Sequence, residues 1–570
     1  MFMDEYQRWL DFATEDPDLI PELSHINGNS EEIKDRFAIN LSFGTAGLRG
    51  VIGAGTNRMN IYTVRKATQG LAAYLLKTEK KPSVAISYDS RIKSTLFAKQ
   101  AACVLAANGI RTYIYPTLEP VPALSFAVRA LKTSAGVMIT ASHNPAKYNG
   151  YKAYGPDGCQ MTSEAADAVL AEIELLDIFK DLKTLSFEQG LEAGLISYIP
   201  EEVLEAFYTA VKAQSIRPGL AATAPLKLVY SPLNGTGNVP VRRILADVGF
   251  TDITVVPEQE LPDGNFPTCP YPNPEIREAL ALGLALAEKV SADLMLATDP
   301  DADRVGIAVR DETGSYHLLS GNEVGVLLLD YICKGRLETG TMPQNPVMVK
   351  SVVSTPMADE VAAHYNVQAI NVLTGFKYIG EQILKLEEKG EENRFILGFE
   401  ESYGYLPGSY VRDKDAVAAA LLICEMAAWY NAQGSSLYEA MQNLYKQYGF
   451  FLNKVDSFEF EGLSGMEKMA SLMDTLRQNP PRQIAGLAVT AIADYENHTV
   501  VDTKIGAKTL LDLPSSNILS YTLEGGSTIV VRPSGTEPKI KVYYTTKGQN
   551  TAEAEALRQK LAAAMRPLLA

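Results

Sequence analysis

Short apolar runs recur along the chain, and each run is followed by a polar or glycine-rich loop and then by a helical pattern. The runs cover residues 84–87, 136–139, 226–230, 293–297, 347–353 and 395–397. Segments between them show helical periodicity, for example 95–108, whose apolar residues fall on one face of a helix. Strands that alternate with helices form mostly parallel sheets covered by helices. The pattern therefore predicts an α/β protein.

The end of the chain has a different pattern. Four runs predict strands, at 485–493, 518–523, 528–531 and 540–545, and a helix is predicted after them, at 552–565. A helical segment at 435–448 is expected to connect this part to the preceding one. Strands clustered together with helices to one side favour an α+β module. At 570 residues the chain is too long for a single core and is expected to form three to five domains.

The segment 140–145 has the sequence Thr-Ala-Ser-His-Asn-Pro and begins where an apolar run ends. The serine presented there, Ser142, is a candidate carrier of a phosphoryl group. Adjacent side chains on an extended chain point to opposite sides. We therefore expect His143 to be poorly placed to deprotonate Ser142 and better placed to serve a substrate hydroxyl.

A second polar segment follows the apolar run 293–297 and sets Asp299, Asp301 and Asp303 at alternate positions. On an extended backbone this spacing puts all three carboxylates on one side. Such a group suits a hard divalent cation, which prefers oxygen ligands. A solvated acidic turn is the alternative. An EF-hand is not indicated, because Arg304 and Arg310 stand where that loop needs glycine and glutamate.

Two further loops follow apolar runs. The loop 398–404 offers carboxylates and a hydroxyl, which are the usual partners of sugar hydroxyls. The loop 532–539 offers arginine, serine, threonine and a glycine-bearing backbone, a combination that favours a phosphate clamp. The loop 234–238, which contains two glycines, is interpreted as a tight strand-to-helix turn, with a phosphate cradle as the alternative.

The net charge of −16 and the lack of any Lys/Arg-rich block argue against a nucleic-acid surface. A phosphorylated substrate is still compatible with an acidic protein, because a local group of cations can make a positive cleft. The candidate cations are Arg49, Lys152, Arg304, Lys377, Arg532 and Lys539. The first residues lack the features of a signal peptide, and the most membrane-like run, 416–429, is short and contains Glu425. We expect a cytoplasmic enzyme without a membrane partner.

Five cysteines, at 103, 159, 269, 333 and 424, are widely spaced and form no C-x-x-C pair. Neither a zinc site nor a disulfide framework is indicated. We interpret them as reduced thiols, most of them buried.

The four motifs, in this order and over this length, resemble the α-D-phosphohexomutase family. The sequence Gly-Phe-Glu-Glu-Ser-Tyr-Gly-Tyr at 398–405 looks most like its bacterial α-phosphoglucomutase branch. The resemblance implies three similar mixed α/β domains with largely parallel sheets, followed by a smaller α+β domain, around a central cleft. We place the domains at 1–205, 206–320, 321–450 and 451–570.

The resemblance also implies an activity. Phosphorylated Ser142 would give its group to the free hydroxyl of glucose 1-phosphate or glucose 6-phosphate, and the resulting bisphosphate would turn over in the cleft and return its other phosphate to Ser142. Mg²⁺ would be held by the three aspartates and by a phosphate oxygen on Ser142. Glucose 1,6-bisphosphate is expected as the activator, a small sugar phosphate as the substrate, and a monomer or dimer as the assembly.

Residue roles follow from the same resemblance. His143 and Lys152 match the positions of the general acid and base, and Arg49, in the motif 44–50, matches a basic contact near the phosphoserine. Arg304 would steady the transferring oxygens or pair with the aspartates. The expected substrate contacts are Lys377, Glu400, Ser402, Arg532, Ser534, Gly535, Thr536 and Lys539, with Lys541 as an alternative to Lys539. Phe399 stands where some relatives have glycine, which leaves the hexose preference open.

Alternatives remain within the family and outside it. Within the family they are a phosphopentomutase, a phosphomannomutase or a synthase that releases the hexose bisphosphate. An aspartyl phosphatase with Asp299 as nucleophile is disfavoured, because Arg304 and Val305 follow Asp303 where that class has Gly-[Thr/Val]. A catalytically silent sugar-phosphate binding protein is disfavoured by the intact serine, aspartates and acid/base candidates.

Overall fold

The structure is a computed structural model that describes residues 2–44, 47–460, 465–534 and 539–569. The predicted substrate contacts Gly535 and Thr536 lie outside the described residues, as do Thr45 and Ala46 of the motif around Arg49. Four sheets follow one another along the chain, each covered by helices.

The first sheet has six strands in the order β1-β5-β4-β2-β3-β6. Strands β4, β2, β3 and β6 run parallel, whereas β5 and β1 form an antiparallel edge. The elements of this part are α1 (Phe2–Phe12), α2 (Leu19–His25), α3 (Ser30–Phe37), β1 (Gly47–Val51), α4 (Ile61–Thr78), β2 (Ser83–Tyr88), α5 (Ser94–Ala107), β3 (Arg111–Ile114), α6 (Val121–Leu131), β4 (Ala135–Ile139), β5 (Tyr148–Tyr154), α7 (Ser163–Glu174), α8 (Phe187–Glu192), β6 (Ile196–Tyr198) and α9 (Glu201–Lys212).

The second sheet has the order β11-β10-β9-β7-β8, with the pairs β9/β10 and β10/β11 antiparallel and the other two pairs parallel. Its elements are β7 (Leu228–Ser231), α10 (Asn238–Asp247), β8 (Ile253–Val255), α11 (Pro257–Glu260), α12 (Ala281–Val290), β9 (Leu294–Thr298), β10 (Val305–Arg310) and β11 (Tyr316–Leu319).

The third sheet has the order β13-β12-β14-β15, and β15 alone among its strands is antiparallel. Its elements are α13 (Gly321–Glu338), β12 (Val347–Ser351), α14 (Met357–His364), β13 (Gln368–Val372), α15 (Phe376–Glu387), β14 (Phe395–Glu400), β15 (Gly404–Leu406), α16 (Ala416–Ala432) and α17 (Leu437–Tyr448).

The fourth sheet is antiparallel throughout, with β17 paired to β18 beside the path β16-β23-β22-β21-β18-β19-β20. Its elements are β16 (Phe450–Glu459), α18 (Gly465–Gln478), β17 (Gln483–Ile484), β18 (Leu487–Asp494), β19 (Thr499–Asp502), β20 (Lys508–Leu510), β21 (Leu519–Leu523), β22 (Thr528–Pro533), β23 (Lys539–Gly548) and α19 (Thr551–Met565). Short 3₁₀ turns occur at Leu220–Ala222, Arg277–Leu280, Glu392–Arg394 and Arg566–Leu568.

The first three sheets share one arrangement. In each, three neighbouring parallel strands are followed in the sheet by one antiparallel strand. The strand orders are β3-β2-β4-β5, β8-β7-β9-β10 and β13-β12-β14-β15. The predicted fold of three similar α/β domains and a final α+β domain is confirmed.

Burial explains why these elements form. The central strands β4, β9 and β12 are buried along their whole length, as expected for parallel strands covered by helices on both faces. Helix α16 is buried on all sides from Ala416 to Ala428, which accounts for its apolar sequence. Among the described residues, we find no helix that combines the length and hydrophobicity needed to span a bilayer. All five cysteines are buried and unbridged.

Candidate active site

The four predicted motifs lie on four hairpin turns. The turns join β4 to β5, β9 to β10, β14 to β15 and β22 to β23, and each pair is antiparallel. They surround a cleft of about 1150 Å³. The predicted residues that line it are Arg49, His143, Arg304, Lys377, Glu400, Ser402, Arg532, Ser534, Lys539 and Lys541, whereas Ser142, Lys152 and the three aspartates are not part of its lining.

Ser142 sits in the first turn in a left-handed backbone conformation, with φ of +51°. Its hydroxyl donates to Asp299 Oδ2 at 2.8 Å, across the gap between the first and second sheets. His143 Nδ1 lies 3.1 Å from the same hydroxyl. The expectation that His143 would be poorly placed to deprotonate Ser142 assumed an extended backbone, and the left-handed conformation of Ser142 instead brings the two side chains together.

Asp299, Asp301 and Asp303 converge as predicted, with one oxygen of each within 4.8 Å of the others. The reason differs from the one predicted. The segment is a turn with Ala302 at φ +48°, so the carboxylates meet because the backbone curls and not because a strand alternates. Asp299 Oδ1 accepts the backbone N–H groups of Asp303 at 3.2 Å and Arg304 at 3.0 Å, which close the turn.

The three buried carboxylates form a site suited to a metal ion. Oδ1 of Asp301 and Oδ1 of Asp303 are buried and have no hydrogen-bond partner among the described residues. Burial and the neighbouring carboxylates raise the pKa of Asp299. Unpaired acceptors and mutual repulsion in a buried site are relieved by a hard cation with oxygen ligands. The donor set therefore fits a divalent ion such as Mg²⁺.

Lys152 lies behind the acidic turn and does not line the cleft. Its ammonium is 2.9 Å from Asp301 Oδ2 and 3.8 Å from Asp303 Oδ2. Burial alone would lower the pKa of Lys152, but the two carboxylates outweigh it and raise that pKa. Lys152 is therefore held in its charged form.

A second buried lysine, Lys414, does line the cleft. Its ammonium is 3.1 Å from Asp303 Oδ2 and 3.4 Å from Asp413 Oδ1, and it lies 5.5 Å from the centre of the Phe376 ring. Lys414 was not predicted from the sequence, although it belongs to a charged run, 412–415, directly before the apolar helix α16.

The His143 imidazole is uncharged, unlike the Lys152 ammonium. Burial, together with the positive charges of Arg304 and Arg49, lowers its pKa to about 2. The ring is therefore neutral, and one of its two nitrogens carries no proton. Arg49 itself lies on β1 opposite Gly150 of β5 and donates to the Asn144 side chain at 3.1 Å.

Arg304 projects into the cleft from the end of the acidic turn. It forms an ion pair with Glu275 at 2.8 Å and a longer one with Asp303 at 3.7 Å. The predicted ion pair with the aspartates is thus the weaker of the two. Glu275 lines the cleft as well and was not singled out, because a single glutamate in a loop carries no sequence signal.

The third turn is held from several sides. Glu400 Oε1 accepts the backbone N–H of Gly375 at 2.7 Å, and Tyr403 adopts φ of +65°. Glu401 accepts the hydroxyls of Ser351 at 2.9 Å and Ser354 at 3.4 Å, which anchors the turn to the end of β12. Glu400 is buried and lines the cleft, and its hydrogen bond to Gly375 uses only one of its two oxygens.

Two residues near the start of α15, Thr374 and Lys377, also line the cleft. Lys377, near the start of α15, contacts Ser163 Oγ of the first domain at 3.1 Å, and burial lowers the pKa of its amine. Thr374 lines the cleft with a buried hydroxyl that has no hydrogen-bond partner among the described residues. Thr374 stands in the Thr-Gly-Phe-Lys segment but was not chosen from the sequence.

The fourth turn brings cations to the opposite wall. Arg532 of β22 pairs in register with Lys541 of β23, and both line the cleft with Lys539. Burial and the neighbouring cations Lys539 and Arg532 lower the pKa of the Lys541 amine. The Ser534 N–H donates to the Lys539 carbonyl at 2.8 Å and begins the turn. Such a concentration of positive charge attracts a phosphate dianion.

Models of the phosphoglucomutase/phosphomannomutase family match the chain in four segments. They are the α/β/α domain I at residues 40–177, domain II at 204–314, domain III at 320–448 and the C-terminal domain at 479–564. The chain therefore belongs to this family, the α-D-phosphohexomutases, and is an enzyme of the mutase type, as the motifs predicted.

Individual relatives agree with the family match. A phosphoglucomutase of Staphylococcus epidermidis is 39% identical over 542 residues, which cover 94% of this chain and 96% of that protein. The Paramecium phosphoprotein parafusin, a phosphoglucomutase solved in an open form, has a TM-score of 0.66 at 17% identity and covers 92% of this chain and 95% of its own. An Aspergillus fumigatus N-acetylphosphoglucosamine mutase, solved with GlcNAc-6P and magnesium, has a TM-score of 0.50 at 15% identity and covers 94% and 97%.

Proposed function

We propose that this enzyme interconverts glucose 1-phosphate and glucose 6-phosphate, with Ser142 as the phosphoryl carrier and glucose 1,6-bisphosphate as the intermediate and activator. The observation that carries the proposal is the hydroxyl of Ser142, which donates to Asp299 of the acidic turn at 2.8 Å, next to His143 in the lining of a cleft that also contains Arg532, Lys539 and Lys541. The likeness to a phosphoglucomutase at 39% identity over nearly the whole chain supports the choice of substrate.

The transfer moves a phosphoryl group from the Ser142 oxygen to the free hydroxyl of the sugar phosphate. The bond between phosphorus and Ser142 Oγ breaks, a bond to the sugar oxygen forms, and the hydroxyl proton must leave. His143 is the better proton acceptor, because its ring is neutral whereas the charge of Lys152 is stabilised by Asp301. Lys152 is suited to the acid role. A return transfer of the other phosphate restores phosphorylated Ser142.

Asp299, Asp301 and Asp303 would hold Mg²⁺ together with an oxygen of the phosphate on Ser142. When bound, the ion would stabilise charge on the transferring oxygens. The unpaired oxygens of Asp301 and Asp303 support this assignment. The related mutase from Aspergillus fumigatus, solved with magnesium, supports the choice of metal.

The remaining cleft residues divide by chemistry. Glu400, Ser402 and Thr374 present acceptors and hydroxyls to the sugar, with Lys377 beside them. The cationic wall binds the phosphate that does not react. Its proposed members are Arg532, Ser534, Lys539 and Lys541, together with Gly535 and Thr536, which follow Ser534 in the sequence. Arg49 and Arg304 contact the phosphoryl group in transit.

We also propose the domain limits 1–205, 206–320, 321–450 and 451–570. The family matches that begin at residues 204 and 320 support the second and third limits. The fourth sheet begins with β16 at Phe450, next to the last limit.

The test is a coupled assay for glucose 6-phosphate with glucose 1-phosphate as substrate, with and without glucose 1,6-bisphosphate. Intact mass after treatment with the bisphosphate should rise by one phosphate, and peptide mapping should locate it on Ser142. Faster turnover of ribose 1-phosphate or mannose 1-phosphate would instead indicate a phosphopentomutase or phosphomannomutase. Net release of bisphosphate would indicate a synthase.

The aspartyl phosphatase alternative is weaker on structural grounds. Both oxygens of Asp299 are engaged, one by Ser142 Oγ and the other by the backbone N–H groups of Asp303 and Arg304. A nucleophilic carboxylate needs a free oxygen in line with the phosphorus atom. Phosphate trapped on Asp299 in the mapping experiment would overturn the assignment of Ser142.

A further inference from the structure

Arg91 follows β2, and its side chain is completely buried. Its guanidinium donates to four backbone carbonyls of the turn between β4 and β5. The acceptors are Ser142 at 2.6 Å, Asn144, Pro145 at 3.0 Å and Tyr148 at 3.0 Å. The charge is balanced by Asp89, whose carboxylate lies 3.4 Å from Arg91 Nε and also accepts the Ser94 hydroxyl at 2.6 Å.

These hydrogen bonds account for the shape of the turn. A non-glycine residue in the left-handed region costs about 1–2 kcal/mol, so Ser142 at φ +51° needs support from its surroundings. Carbonyl groups that point inward from a curled turn must also find donors, because buried polar groups are costly when unpaired. A planar guanidinium offers five donors in a fixed fork and can satisfy several carbonyls at once. The other anchor of Ser142 is local, a bond from its N–H to Thr140 Oγ1 at 2.8 Å.

Arg91 also touches the second domain. Its guanidinium lies 5.0 Å from the centre of the Phe266 ring, in a cation–π arrangement. The backbones of Arg91 and Gly264 form a parallel bridge. A side chain at Gly264 would bring its Cβ to 2.4 Å from the backbone nitrogen of Ile92, so this approach of the two backbones requires glycine. The loop of Gly264 and Phe266 belongs to the domain whose sheet carries the acidic turn.

We propose that Arg91 is a positioning residue that fixes the carrier serine relative to the acidic turn. Its N–H groups donate to the carbonyls around Ser142, and its guanidinium lies over the Phe266 ring of the second domain. Since its side chain is fully buried, it acts through the backbone of the turn and not by touching substrate. This role rests on the proposed function of Ser142, and its structural part, the hold on the turn, can be measured separately.

The experiment compares Arg91→Met and Arg91→Lys with Arg129→Met in the full-length enzyme. Arg129 is a suitable control because it also joins two domains, through Glu387 at 2.7 Å, and donates to a backbone carbonyl, that of Asp157. With glucose 1-phosphate, Arg91→Met should lower kcat by about 100-fold while KM stays within about threefold, because a shift of about 1 Å in a reacting group costs a factor of that size. Arg91→Lys should recover little, since an ammonium cannot span four carbonyls. Arg129→Met should keep kcat.

Hydrogen exchange gives a second measurement that does not depend on activity. Amides in the peptide around residues 141–149 should exchange faster in Arg91→Met than in the wild type, and should be unchanged in Arg129→Met. Phe266→Leu, which leaves the carbonyl contacts intact, should lower kcat severalfold without changing this exchange. Phe266→Leu also tests the proposal if Arg91→Met does not fold.

Unchanged kcat in Arg91→Met, or an equal loss in Arg129→Met, would overturn the proposal. So would unchanged exchange around Ser142. Normal kcat in Phe266→Leu would overturn the link to the second domain. If the wild type is inactive but exchange around Ser142 is faster in Arg91→Met, the proposed mutase function is refuted while Arg91 still holds the turn. Failure of the proposed function and failure of the role of Arg91 therefore give different results.

Discussion

Asp301→Asn tests the acidic turn most directly, because Asp301 is the middle carboxylate and is fully buried. Its Oδ2 contacts Lys152 Nζ at 2.9 Å and the Thr140 hydroxyl at 3.2 Å, while its Oδ1 is unpaired among the described residues. The substitution keeps the shape of the side chain and removes one negative charge. We expect it to affect metal binding strongly and folding weakly.

The magnitude follows from the distances. Each repulsion between Asp301 and a charged aspartate oxygen no more than 4.8 Å away amounts to at least about 3.5 kcal/mol at an effective dielectric constant of about 20. Burial and the neighbouring carboxylates raise the pKa of Asp299, so the repulsion that is relieved comes mainly from Asp303. The attraction to Lys152 at 2.9 Å, about 6 kcal/mol on the same basis, is lost. The free energy of unfolding of the metal-free protein should therefore fall by no more than about 3 kcal/mol.

For metal binding, the loss of the Asp301 charge is not offset by any relieved repulsion. Loss of a residue that only supports a metal ligand costs about 10–100-fold in affinity, and a direct ligand should cost at least the upper value. Isothermal calorimetry with Mg²⁺ and the Mg²⁺ dependence of activity measure the affinity for the metal. Urea unfolding in chelator measures the free energy of unfolding of the metal-free protein. Asp494→Asn is the control, since Asp494 is a buried carboxylate paired with Arg477 at 3.1 Å outside the cleft. Unaltered Mg²⁺ affinity, or stabilisation of the metal-free protein by more than about 4 kcal/mol, would refute the reasoning.

Three further changes test the other walls of the cleft. Ser142→Ala should reduce mutase activity by several orders of magnitude and abolish labelling by glucose 1,6-bisphosphate, because no other carrier is proposed; near-normal turnover would contradict this role. Glu400→Gln should depress the forward and reverse reactions alike, since its free oxygen meets a hydroxyl that both substrate orientations present, and a one-directional defect at saturating substrate would exclude that. Arg532→Ala should lower kcat/KM on glucose 1-phosphate by about 2–4 kcal/mol of transition-state stabilisation while slow hydrolysis of the phosphoserine is unchanged. Equal loss in both reactions would mean that Arg532 acts on the carrier and not on the distant phosphate.

The sequence was sufficient to predict the four turns and the fold, because each turn follows a buried strand and carries residues with a distinct chemistry. It was not sufficient to predict their geometry. The left-handed conformation of Ser142 depends on hydrogen bonds from Arg91, which lies 51 residues earlier in the chain. The neutral state of His143 depends on burial beside Arg49 of β1 and Arg304 of the acidic turn. Local patterns do not contain such contacts.

Elements of the fourth domain illustrate a related limit. Strand β16 has alternating half-buried and exposed positions, and helix α18 buries Met469, Met473 and Leu476 against the sheet, yet neither was predicted. The outer strand β20 is exposed along its whole length, so it has no apolar run that a sequence pattern can detect. Strands of this kind are specified by pairing with their neighbours, which is a non-local property.

The shared topology of the first three domains explains why their motifs meet in one place. In each domain the motif occupies the turn between the third parallel strand and the strand that runs back, so the carboxyl ends of β4, β9 and β14 carry the serine, the acidic turn and the turn of Glu400 and Ser402 respectively. Ligands of α/β sheets gather at those ends. Contacts between turns then fix the cleft: Ser142 reaches Asp299, and the N–H of Val305 donates to the Tyr403 carbonyl at 3.1 Å. One structural unit used three times thus brings the second turn into hydrogen bonds with both the first and the third, so a change in the second turn should alter the other two.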